Sequence, residues 1–223
     1  MNDFQNHFNN LYSEQGKPLS ILQIGGNDGI QADPLYNLIQ KYPNVTLNVL
    51  EPIKRYYDNL KSNYKFNYNV KTHNLAIAEC NGTKEITYVN YNSSMPSWAK
   101  GLGTFNVEGN CLSGMTGLGN TINCKSENWW KLLNENKVKE TVKVKKLNTF
   151  LEDINLKEID IYVSDTEGYD WIIFEQLDLD KYFPKLIYME THGRIIPKDL
   201  LSKKLDKYNY KYYHGHDTVA YKY

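Results

Sequence analysis

The 223-residue chain has no apolar run of about 18 residues, so no segment reads as a membrane-spanning helix. It has no net charge either: 26 basic residues balance 26 acidic ones. A dedicated nucleic-acid binder usually carries a basic face and a high pI, so no nucleic-acid partner is expected. Cysteine is scarce. Cys80, Cys111 and Cys124 match no metal-ligand spacing, and an odd count favours reduced thiols. Residues 1–15 are polar and lack an apolar signal core, so the expected compartment is the cytoplasm. On that expectation the glycosylation sequons at Asn44, Asn81 and Asn92 are chance matches. Internal repeats and a clear domain boundary are also missing. The length and the 41% hydrophobic content suit a single domain over 1–223 with a sizeable core.

What is present begins at Leu22-Gln23-Ile24-Gly25-Gly26-Asn27-Asp28-Gly29, an apolar run that stops in a glycine-rich turn. A second apolar run, Leu47 to Leu50, stops at Glu51-Pro52. Strand, glycine turn, helix, strand and acid is the order in which a doubly wound α/β domain holds an adenosine-containing cofactor. The glycines let the backbone approach the ligand, and the acid accepts hydrogen bonds from the two ribose hydroxyls.

The rest of the pattern alternates. Within 1–19, residues 2–13 read as a helix with Phe4, Phe8 and Leu11 on one face. Asp33 and Pro34 read as the start of the next helix, and Ile53, Tyr56, Tyr57 and Leu60 mark the apolar face of another. The runs 70–78 and 84–89 flank Asn81-Gly82, a hairpin signal. Residues 90–125 are rich in glycine, serine and asparagine, and read as a loop or lid over the acceptor side of a cleft, with Trp98 or Phe105 packing on the acceptor. Ser126 caps a helix through Leu133. Ile159 to Val163 is a core strand ending at Ser164-Asp165-Thr166-Glu167-Gly168, and the helix after it buries Ile172, Ile173 and Leu177. Leu186 to Met189 ends at Glu190, and two Tyr-rich strands close the chain around Gly215. Ligands in such sheets bind beyond the carboxyl ends of the strands, so Gly25, Asp28, Glu51, Asp165 and Glu190 are expected in one cleft.

These segments resemble the FkbM family of S-adenosylmethionine-dependent methyltransferases. Ile24-Gly25-Gly26-Asn27-Asp28-Gly29 is similar to its glycine motif, and Glu51-Pro52 with Leu60 and Asn63 to its EP…L..N helix. Asn74-Leu75-Ala76-Ile77 with Gly82, and Val144-Lys145-Lys146-Leu147 leading to Asp165-Thr166-Glu167-Gly168-Tyr169-Asp170-Trp171, are similar to two further blocks. Gln23 departs from the family where many members carry an acid, and Asp170 replaces a glutamate on what reads as the helix surface. The resemblance implies a Rossmann-like class I methyltransferase fold, mostly parallel with a C-terminal antiparallel hairpin. It implies O-methylation of a hydroxyl, often on a sugar, glycan or glycosylated metabolite, with S-adenosylmethionine as cofactor and a divalent metal such as magnesium as an option. The Gly-x-x-x-Gly spacing from Gly25 favours this cofactor over NAD, because no pyrophosphate needs the helix N-terminus.

The expected cofactor residues are Gly25, Gly26, Asn27, Asp28, Gly29, Glu51, Pro52, Ala76 and Ile77. The expected catalytic residues are Asp165, Glu190 and His192, with Asp165 and Glu190 also the candidate metal ligands. Asp28 reads either as facing the cofactor's cationic end or as a cap. Glu51 reads as a ribose ligand or as a salt bridge to Lys54 or Arg55, and Glu167 reads largely as a helix start. Two other classes remain open at this point: a nucleotide-sugar glycosyltransferase using Asp165-Thr166-Glu167, and a non-catalytic module that keeps the fold.

Overall fold

The computed structural model describes residues 2–105, 135–191 and 197–223. Seven strands form one sheet in the order β3-β2-β1-β8-β9-β11-β10. They are β1 (Ser20–Ile24), β2 (Thr46–Leu50), β3 (Val70–His73), β8 (Ile161–Ser164), β9 (Leu186–Glu190), β10 (Lys211–His214) and β11 (Asp217–Tyr221). The first five are mutually parallel, and β11 runs antiparallel to β9 and to β10, so the sheet is mostly parallel with a C-terminal antiparallel hairpin. Strand order grows from β1 towards β3, then resumes on the other side of β1 with β8. The reversal lies between β1 and β8, where such sheets open a crevice.

A parallel sheet is covered on both faces, and the side chains alternate accordingly. Ile21, Leu47, Val49, Ile161 and Val163 pack with Phe4, Phe8 and Leu11 of α1 (Asn2–Gln15) and with Leu38 and Ile39 of α2 (Tyr36–Lys41). Leu22, Ile24, Leu50 and Tyr162 face the other way, onto α4 (Leu147–Asp153), α5 (Asp170–Glu175) and α6 (Lys198–Lys207). The helix α3 (Lys54–Asn63) straddles both layers: Tyr56 joins the second cluster and Leu60 the first. Among the described residues no helix is long and apolar enough to cross a membrane.

A second sheet lies beside the first, ordered β4-β7-β5-β6: β4 (Ala76–Ile77), β5 (Gly82–Val89), β6 (Gly103–Thr104) and β7 (Lys137–Lys145). Its arrangement corrects the hairpin expected at Asn81-Gly82. β7 inserts between β4 and β5, pairing parallel with one and antiparallel with the other. The expected strand over 70–78 is likewise two strands in different sheets. Asn74 makes the break: its side-chain amide donates to the carbonyls of Glu51 (3.0 Å) and Pro52 (2.9 Å), pulling the chain out of the ladder.

Three smaller expectations also change. Asp33 accepts from the N–H groups of Leu35 and Tyr36 but is not the N-cap expected: that position is Leu35, and α2 begins at Tyr36. Ile172 is 36% exposed instead of buried. Asp170, expected on the helix surface, is fully buried and accepts from the Thr166 N–H at 3.2 Å. The expected helix 126–133 and residues 106–125 of the glycine-rich segment lie outside the described residues.

Candidate active site

The cleft opens where the sheet order reverses. Gly25 lies at its centre because nothing larger fits. Its φ is +84°, and a Cβ there would stand 1.8 Å from the Asp165 carbonyl oxygen of the adjacent strand end. Gly25 and Gly26 both donate to the Leu50 carbonyl, at 3.1 and 2.9 Å, so the glycine turn is tied to the end of β2. Gly26 and Gly29 serve packing: a Cβ on either would meet Val49, or Leu60 and Tyr64, at under 3 Å.

Glu51 pins three segments together. Its carboxylate accepts from the N–H of Asn27 and the N–H of Ile53, both at 2.9 Å, and its own N–H donates to the His73 carbonyl. The salt-bridge alternative does not form. Lys54 pairs with Asp58, and Arg55 bonds Asn90 and Tyr91. Glu51 is 5% exposed and lines the cleft. Burial pushes its pKa up to about 8 despite the two N–H bonds, with Glu140 and Asp165 adding to the rise. A carboxyl in that condition is suited to hydroxyl donors, which relieve the lost hydration without bringing a countercharge.

Asp28 is a turn cap in this structure. One oxygen accepts from Ile30 (3.0 Å) and Gln31 (2.9 Å), and the other pairs with Lys100. Burial opposes its ionisation, but the N–H of Gln31, the Lys100 ammonium and the N–H of Ile30 outweigh it, so its pKa lies below the usual range. Asp28 and Gln23 are both off the cleft lining, and Gln23 is held by Asp33 at 2.7 Å.

The cleft encloses about 540 Å³, part of it open to solvent. Ile53, Leu75, Ala76, Ile77 and Ile86 give it an apolar end, next to Pro52 and Glu51. Phe105 and Tyr169 stack edge to face across it at 5.4 Å. Lys84 lies over both rings and bonds Glu79 (2.8 Å) and the Tyr169 hydroxyl (3.1 Å). Phe105 therefore lines the cleft. The side chain of Trp98 lies outside the described residues, as does His192.

The opposite wall is acidic. Asp165 follows β8 and faces the cleft. Glu167 also lines it and is not the helix start expected, since α5 begins three residues later at Asp170. Its φ of +54° is a strained conformation for a non-glycine residue, and such strain gathers at functional sites. Burial, then Asp165 and Asp170, push the Glu167 pKa up to about 8. Glu190 lies behind them, 6% exposed, and accepts from the Glu167 N–H at 3.0 Å. Burial first, then Glu167, Asp165 and Asp170, and finally a hydrogen bond with Asp165, raise its pKa well above the ordinary value. From sequence Glu167 could flank the cleft or start the helix, and the structure has it on the cleft lining, two residues after Asp165.

The expected residues thus gather in part: Gly25, Glu51, Pro52, Ala76, Ile77 and Asp165 line one cleft, and Glu190 supports it from behind. The donor set fits an S-adenosyl ligand, with an apolar slot for a base, a buried carboxyl beside it for hydroxyls and an acidic wall for positive charge. The metal option finds no support: among the described residues no group of three or more His, Cys, Asp or Glu side chains could hold an ion.

Residues 23–212 match the family described as the Methyltransferase FkbM domain. A crystal structure of a methyltransferase FkbM from Methylobacillus flagellatus KT superposes with a TM-score of 0.53 at 11% identity, covering 92% of this chain and 44% of that one. The chain therefore spans under half the length of that protein. A precorrin-6y C5,15-methyltransferase from Geobacter metallireducens GS-15 gives a TM-score of 0.43 at 12% identity, over 92% of this chain and 81% of its own. No curated protein matches the chain.

Proposed function

The chain belongs to the FkbM methyltransferase family, and we propose that it is an S-adenosylmethionine-dependent O-methyltransferase acting on a hydroxyl of a sugar, glycan or glycosylated metabolite. The observation that carries this reading is the position of Glu51, a buried carboxyl at the end of β2 that lines the same cleft as Asp165 and Glu167.

Bound S-adenosylmethionine supplies a methyl group already activated by its sulfonium, so the protein's task is alignment and proton removal. Glu51 accepts the ribose hydroxyls, and Ala76 and Ile77 pack on the base. Gly25 keeps the centre of the cleft free of side chain. Asp165 accepts the proton of the acceptor hydroxyl as the new C–O bond forms. Glu190 hydrogen-bonds Asp165 and fixes its direction, while its Oε2 accepts from the Glu167 N–H. The negative wall also favours a cationic ligand. The aromatic faces of Phe105 and Tyr169 suit the C–H face of a sugar ring, and the acids suit its hydroxyls.

The test is transfer of labelled methyl from S-adenosylmethionine to a panel of glycans and glycosylated metabolites, with the product identified by mass. A product heavier by one methyl on oxygen, lost in Asp165→Asn, supports the reading. Methylation confined to nitrogen or carbon acceptors contradicts it.

A further inference from the structure

One side of the cleft gathers four side chains from four segments. Glu79 follows β4, Lys84 lies on β5, Phe105 follows β6, and Tyr169 stands between the acidic loop and α5. Of these, Phe105 and Tyr169 line the cleft. The Lys84 ammonium stands 5.1 Å from the centre of the Phe105 ring and 5.3 Å from that of Tyr169, and the two ring centres are 5.4 Å apart. The three points form a nearly equilateral triangle, and a cation attracted to both rings restrains both.

The same ammonium donates to Glu79 (2.8 Å) and to the Tyr169 hydroxyl (3.1 Å), while that hydroxyl donates to the other Glu79 oxygen. Ammonium, carboxylate and phenol close a ring of three hydrogen bonds. Lys84, and then the Tyr169 hydroxyl, hold the Glu79 carboxyl down to about 2, so it stays charged in any working buffer. This clasp joins two parts of the cleft. Glu79 and Lys84 belong to the second sheet and its turns, which also bring Ala76, Ile77 and Phe105 to the lining. Tyr169 belongs to the segment that carries Asp165 and Glu167. An ion pair so open to water adds little stability, since 56% of the Glu79 side chain is exposed. Its geometric effect is larger: it fixes where the aromatic pair stands relative to Asp165.

We propose that Lys84 is a positioning residue of the acceptor site: through its clasp with Glu79 and Tyr169 it locks the aromatic pair against the acidic loop, and so decides which hydroxyl of a sugar ring meets Asp165. This rests on the reading of the site given above. A sugar ring carries several hydroxyls of similar reactivity, so selectivity among them comes from how the ring is held. Phe105 and Tyr169 set the plane of the sugar, and the clasp sets the place of that plane.

The experiment is methyl transfer by the full chain to the methyl glycosides of glucose, galactose and mannose, measuring KM, kcat and the methylated position. The parent is expected to methylate one position of its best acceptor. Lys84→Met keeps the stem and removes the charge. It should raise the acceptor KM about tenfold, spread the methyl over more than one position, and leave S-adenosylhomocysteine affinity within about twofold. Tyr169→Phe keeps the ring and opens the clasp, and should spread the product in the same way. Lys84→Arg, which can still pair and stack, should restore the single product. If Lys84→Met does not fold, Tyr169→Phe decides alone. A single product at the parent's position in both variants overturns the proposal. So does an equal loss of S-adenosylhomocysteine binding, the mark of a merely structural contact. A parent that methylates none of these sugars sinks the underlying reading first, and this inference with it.

Discussion

At the end of β2 a buried acid, Glu51, takes two backbone N–H groups and stitches the glycine turn to the start of α3. Across the cleft, at the ends of β8 and β9, Asp165, Glu167, Asp170 and Glu190 crowd together, and burial with these neighbours raises the pKa values of Glu167 and Glu190. The first wall is built to be still: its carboxyl is fixed by main chain and awaits hydroxyls. The second is built to exchange protons, because neighbouring carboxyls in a buried group cannot all ionise at once. Binding and chemistry are thus assigned to opposite sides of one seam, where Gly25 lies against the Asp165 carbonyl.

Mutations can break that division. The largest effect is expected from Asp165→Asn, which keeps the shape and removes the base. Turnover should fall by about 10²–10⁴-fold, while affinity for S-adenosylhomocysteine stays within about twofold on the division of roles argued here. Steady-state kinetics alongside calorimetry would show it, and equal losses in both would dissolve the distinction between the walls. At the seam, Gly25→Ala should cost about 3 kcal/mol or more, since it combines a left-handed backbone with a clash against main chain. Urea denaturation measures this, and a loss under about 1 kcal/mol would mean the strand ends can part freely.

On the binding wall, Glu51→Ala should weaken S-adenosylhomocysteine by about 1–3 kcal/mol, the range for leaving buried polar groups without their partner. Parent-like affinity in that variant would remove the ribose assignment. A further effect is a pH slope. Burial pushes the pKa values of Glu51 and Glu167 up to about 8 in the folded chain, against an ordinary glutamate value of 4.5. Between those values the folded state binds more protons than the unfolded one, so stability of the ligand-free chain falls as pH rises from about 4.5 to about 8. Glu51→Gln cannot ionise, so its melting temperature relative to the parent should climb across pH 5–8. A constant difference would mean that Glu51 is already ionised in the folded chain.

The two walls also differ in how far they could be read from sequence. The binding wall is local: Gly25, Glu51 and Pro52 end apolar strands within 30 residues of one another, and the motif pattern states their order. The acidic wall depends on distances the sequence does not encode. Asp170 looks like an ordinary residue near a helix start, yet α5 turns it inward beneath Thr166. Glu167 looks like an acid in a first turn, yet the chain takes a left-handed step there. The second sheet was hidden for a related reason. Asn81-Gly82 signals a tight turn, but only long-range pairing reveals that β7 arrives some 55 residues later to separate the flanking strands. Lys100 lies in a glycine-rich stretch without periodicity, so its place over Asp28 could come only from the folded chain.

The central claim is that one cleft, between β1 and β8, holds the cofactor with its ribose on Glu51 and its methyl-bearing end towards Asp165. A crystal structure of the chain with S-adenosylhomocysteine tests it most directly. The account predicts both ribose hydroxyls within hydrogen-bond distance of the Glu51 carboxylate, the adenine against Ala76 and Ile77, and the sulfur facing Asp165. A ligand seated elsewhere, or one whose ribose lies away from Glu51, would contradict it.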